Sequence, residues 1–180
     1  RVVEGMQKKE DYRYNEEMRN RYMNKVCVVL RLLAKAIRHF HKEGLVHGDI
    51  CQETCGKFDD KWKLTNLLGS QEKGQLFARS RFGESSPPEA VDIRQDVPCF
   101  RDLEALPSVD IWAFGKLAFE AMTGRALFDF DPDVEVESDS KTMMELFNWG
   151  ESGMRNMIDS LRHAGVPTVG IDLITHCLLP

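Results

Sequence analysis

Asp110-Ile111-Trp112-Ala113-Phe114-Gly115 and the residues that follow, through Glu120-Ala121-Met122-Thr123-Gly124-Arg125-Ala126-Leu127-Phe128, are the stretch from which the rest of the chain can be read. Pro107-Ser108 is a good helix start and Gly124 a good stop, so the pattern predicts a helix over 108–123. Ile111, Trp112, Phe114, Leu117, Ala118, Phe119, Ala121 and Met122 point in nearly every direction around its axis. A helix that is apolar all round is buried in the middle of its domain. Asp110 at its start is then a buried carboxylate, to be satisfied by the helix dipole or by a neighbour's backbone amides.

Upstream, Val26, Leu30, Leu33, Ile37 and Phe40 recur at spacings of three and four and predict an amphipathic helix over 20–41, stopped by Gly44. Arg31, Lys35, Arg38 and Lys42 form a basic stripe on another face, which could meet phosphates but reads first as a solvated face. Residues 45–54 have no helical period and read as a short strand entering a loop. Cys55–Phe58 and Trp62–Thr65 read as a hairpin around Asp59, Asp60 and Lys61. Residues 69–88 read as a long surface loop. Downstream, helices are expected over 140–148 and 153–164, with a last one starting near Gly170 and cut off at Pro180.

The alternating acids from Asp129 to Asp139 begin like a calcium loop. They fail it with Val134 where a glycine is needed and Ser140 at the twelfth position, and read as a solvated acidic insertion. On chemistry alone, His47 and Asp49 could hold a general base, or Asp49 could be a loop carboxylate satisfied by nearby amides.

Bulk properties bound the function. The chain has 180 residues, 42% apolar and 29% charged, as expected of one globular domain. Its net charge of -5 gives no general affinity for nucleic acid or anionic membranes. No apolar run reaches the length of a membrane span. Residues 1–10 are charged and unlike a signal peptide, and the absence of an initial Met suggests a piece of something longer. Five cysteines at irregular spacings favour reduced thiols and a cytoplasmic setting over a disulfide framework, and Cys51 and Cys55 lack a zinc pattern.

The order of features resembles the protein kinase superfamily over about residues 20–180, from the helix before the catalytic loop onward. Its most specific part is the stretch quoted first. His47-Gly48-Asp49 is similar to the family's His-Arg-Asp, Pro87-Pro88-Glu89 to its Ala-Pro-Glu, and 172–180 to its penultimate helix. The resemblance implies a mainly helical α+β fold: the larger, C-terminal lobe of a kinase-like domain with a small β-hairpin at the cleft. It implies one partial domain over 1–180, its smaller lobe preceding residue 1 and its last helix truncated.

The resemblance also assigns roles. Asp49 falls where kinases accept the proton of the substrate hydroxyl, with His47 supporting the loop. Cys51 stands where a lysine usually meets the transferred phosphate. Thr54 replaces a metal-binding asparagine. Asn66-Leu67-Leu68 (or, shifted by one, Leu67-Leu68-Gly69) replaces Asp-Phe-Gly, without its aspartate. Gly48 replaces an arginine that meets a loop phosphate. Asp110 would hold the catalytic loop, while Glu89, Trp112 and Gly115 are structural. The family uses ATP and Mg2+ on protein substrates, and the look of the 123–128 stretch leans to Ser/Thr.

Because phosphoryl transfer rests on positioning and metal charge, losing both metal positions implies impaired catalysis and a pseudokinase that binds or regulates a protein. The alternatives are an active Ser/Thr kinase with other metal ligands, for which Asp59 and Asp60 would have to reorganise, and a non-catalytic helical interaction module.

Overall fold

The structure, a computed structural model, describes residues 16–179. The reading of residues 1–10 therefore lies outside the described residues. The first helix, α1 (Glu16–Lys42), buries Met23, Val26, Val29, Leu30, Leu33 and Ile37 on the stripe expected of it. Among the described residues it is already helical at Glu16, ahead of where the apolar period begins. The turn after it passes through Gly44, whose φ of +75° costs a glycine little.

Helix α2 (Pro107–Thr123) runs through the centre. Val109, Asp110, every residue from Trp112 to Phe119, and Ala121 and Met122 are buried. Gly124 closes it in the left-handed conformation, its N–H donating to the Glu120 carbonyl. Around it pack α1, α4 (Glu151–His163) and α5 (Thr168–Cys177), while α3 (Ser140–Phe147) lies against a β-hairpin. Gly115 lets α5 come close: a Cβ there would lie 2.6 Å from Cys177 Cβ and 2.9 Å from Leu178 Cγ. Trp112 is core, edge-on to Trp149 with ring centres 5.7 Å apart. Trp149 in turn donates its indole N–H to the Leu178 carbonyl at 2.8 Å, which fixes the end of α5.

The strands are short and pair in twos, all antiparallel. β1 (Leu45–Val46) pairs with β4 (Gln71–Glu72), β2 (Cys55–Phe58) with β3 (Lys61–Leu64), β5 (Leu76–Phe77) with β8 (Leu103–Glu104), and β6 (Val91–Arg94) with β7 (Val97–Phe100). The fold is thus mainly helical α+β, with small hairpins, as the sequence implied. Two details differ. The β2–β3 turn has two residues, Asp59 and Asp60 at φ +44° and +63°, so Lys61 already pairs with Phe58. Such a turn matches the right-handed twist of the strands, which a three-residue turn without a bulge does not. The 69–88 stretch is not one plain loop either, since β4 and β5 tie it down at two places.

The acidic stretch 129–139 is mostly solvated, and Asp139 caps α3 by accepting from Thr142 N–H at 3.1 Å. Among the described residues no group of three His, Cys, Asp or Glu side chains is placed to hold a metal ion. Among them, too, no helix is long and apolar enough to cross a membrane.

Candidate functional site

The loop from His47 to Thr54 hangs on the first turn of α2. Asp110, with no exposed surface, accepts from His47 N–H at 2.9 Å and Gly48 N–H at 2.8 Å, one on each carboxylate oxygen. His41 Nε2, at the end of α1, lies 2.8 Å from Asp110 Oδ2. A buried carboxylate is tolerable only when so paired. Asp110 thereby joins α1, α2 and the loop. His41 was not legible as a site residue, because a histidine in a last helical turn reads as a dipole partner and nothing more.

His47 is also wholly buried. Its Nδ1 accepts from Asp49 N–H at 3.2 Å, which leaves Nε2 to carry the proton and donate to the Thr65 carbonyl at 2.9 Å. The ring so braces the loop against the end of β3. Gly48, between them, has φ +74°, and a Cβ there would lie 2.6 Å from Phe77 Cε1 and nearer still to Cζ.

Asp49 is half-buried, and its Oδ2 accepts from Asn66 Nδ2 at 2.9 Å. Asn66 sits just past β3 in the left-handed conformation, φ 60° and ψ 47°, which asparagine adopts more readily than most residues. The structure therefore brings together Asp49 and Asn66, two residues read as a site from the sequence.

Thr54 is buried and turned inward. Its hydroxyl donates to the Asp49 carbonyl at 2.8 Å, with the Cys51 carbonyl at 3.2 Å, and accepts from Cys51 N–H at 3.0 Å. Cys51 Sγ lies 3.5 Å from the same hydroxyl. Burial pushes the Cys51 thiol up, only partly offset by its bonds to Thr54, and burial drives Cys55 from its ordinary 9.0 to about 12. Both thiols are held protonated at neutral pH and are poor nucleophiles and poor metal ligands.

Glu89 lies exposed in a tight turn, Pro88–Ala90, and its backbone carbonyl accepts from Arg101 Nε at 2.7 Å. Asp60 pairs with Lys57 across the β2–β3 turn, which holds its carboxyl below the usual range.

A cavity of about 260 Å³ opens beside Asp49, between the loop and the 82–86 stretch, with Gly48, Cys51, Glu53, Phe82 and Ser86 among its walls. ATP and Mg2+, implied by the resemblance, find a poor donor set here. Asp49 is the one carboxylate of the triplet Asp49, Thr54 and Asn66. The Thr54 hydroxyl is committed to the loop, and Asn66 turns its N–H toward Asp49. A hard dication wants several oxygen ligands, at least one of them charged and free to turn toward it. These three residues do not supply that.

Comparison with known proteins bears on the fold. No family model matches the chain. The mouse serine/threonine-protein kinase SBK2 (Mus musculus) is 33% identical over 108 residues, 58% of this chain and 29% of that protein. Its human counterpart (Homo sapiens) is 30% identical over 115 residues, 57% of this chain and 31% of that protein. The chain thus spans under a third of the length of the curated relatives it matches. Among solved structures, the autoinhibited serine kinase domain of the giant muscle protein titin superposes with a TM-score of 0.58 at 15% identity, over 84% of this chain and 44% of that one. The twitchin kinase region of C. elegans gives 0.57 at 18%, over 87% of this chain and 25% of that one. The fold that surrounds Asp110 and its loop is thus protein-kinase-like, the mainly helical architecture that these solved structures share.

Proposed function

We propose that this domain binds and regulates a protein partner and transfers phosphate poorly or not at all. One observation carries the reading: Asn66 spends its amide N–H on Asp49, where the family pattern has a metal-binding carboxylate. The inward Thr54 hydroxyl supports it, because its lone pairs and proton are used to close the loop. Phosphoryl transfer is mostly metal-ion charge neutralisation and alignment, so loss of those ligands costs several factors of ten, at ~1.4 kcal/mol each.

A second reading, an active Ser/Thr kinase with unconventional metal ligands, is favoured by the retained Asp49 on its intact support of His47 and Asp110. The relatives named serine/threonine-protein kinase point the same way. A helical interaction module with an accidental motif order has the kinase-like superposition against it.

Thermal melting of a protein extended upstream of Arg1 separates the readings. With ATP present, added magnesium leaves the midpoint unchanged if the proposal holds. A magnesium-dependent rise in the midpoint overturns it, because a ligand that binds the folded state must stabilise it.

A further inference from the structure

Phe77 lies against Gly48 and, among the described side chains of 70–86, is the most deeply buried, with no exposed surface. β5 carries it, pinned to β8 by Leu76 opposite Glu104 and Phe77 opposite Leu103. It forms a small core of its own with Val46, Ala105 and Val109, and Phe82 and Leu103 bridge that core to the main one. Phe82 stands edge-on to Phe77 with ring centres 6.3 Å apart and itself lines the cavity beside Asp49. Phe100, 5.9 Å beyond it, continues the chain of rings into β7.

The ring rests on the bare backbone of Gly48. That seat makes two demands of residue 48, and only glycine meets both: a φ of +74° and no Cβ, since a Cβ would fall within 2.6 Å of the ring. We propose that Phe77 is a positioning residue, an apolar latch seated on Gly48 that holds the 70–86 stretch so that its 82–86 end forms one wall of the cavity beside Asp49. The cavity is then preformed, its shape set chiefly by ring packing, beside the backbone bonds of 73–75 and the Arg79 N–H donated to Asp102. Packing of this kind is close to all-or-none, because interiors are dense and a displaced ring has nowhere near by to go. The latch operates whether or not Asp49 catalyses.

Amide hydrogen exchange on the full chain tests this. In Phe77→Leu, residues 70–86 and the amides of Gly48 and Asp49 exchange about tenfold faster or more, while α2 keeps its protection. Gly48→Ala, which spares the ring and removes its seat, reproduces that pattern. Raising the salt to about 1 M, where charges are screened within ~3 Å, leaves the wild-type pattern unchanged. The proposal is overturned if 70–86 exchanges in Phe77→Leu as in the wild type, or if salt alone frees the stretch. Protection lost equally from α2 in both variants also overturns it, since Phe77 would then be ordinary core.

Discussion

Asn66 Nδ2 donates to Asp49 Oδ2 at 2.9 Å, so the amide at the end of β3 is turned onto the candidate base. The bond ties the loop after β1 to the end of the β2–β3 hairpin and uses the donor face of Asn66.

Replacing that donor with a charge tests whether a metal site can be built here. Asn66→Asp sets two carboxylates about 3 Å apart and lowers stability at neutral pH through like-charge repulsion. Magnesium should then raise the melting temperature of the variant and leave that of the wild type unchanged. Melting curves with and without the ion check both statements.

Asp110 should matter more for folding than any other polar residue of the site. Asp110→Ala strands two backbone N–H groups and His41 without an acceptor, at a cost of about 3–5 kcal/mol. Asp110→Asn keeps one acceptor oxygen and should lose roughly half of that. Urea denaturation midpoints measure the difference.

The buried thiols predict an alkaline weakness. The folded state holds the Cys55 proton up to about 12, whereas an unfolded thiol releases it near its ordinary 9.0. A group whose folded pKa is raised stabilises fully below the unfolded value and loses that contribution as pH rises toward the folded one. Stability should therefore fall between about pH 9 and 12 in the wild type, and less steeply in Cys55→Ala. At neutral pH a thiol reagent should modify exposed Cys27 well before Cys51 or Cys55. Mass spectrometry of the labelled chain reads the order.

Much of this was legible in the sequence because burial and periodicity speak directly. The all-round apolar face of α2 gave its central place, and the period of α1 its buried stripe. Asp110 could be read as a buried acid because a carboxylate in that helix has nowhere else to go. The β6–β7 hairpin was not legible: its turn is Gln95-Asp96, both at positive φ without a glycine, and Pro98 breaks the strand pattern. Nor could spacing show that Thr54 turns inward or that Phe77 sits on Gly48, since both depend on contacts between segments far apart in the chain. The directions in which the Thr54 and Asn66 donors point came from the fold alone.

The most direct test of the central claim is transfer of labelled phosphate from ATP to protein, with magnesium and then manganese, by a folded protein extended upstream of Arg1. Asp49→Ala serves as the control. The account predicts no incorporation above that of the variant with either ion. Incorporation that disappears in Asp49→Ala would contradict it, and would mean that Asp49 works with metal ligands other than Thr54 and Asn66.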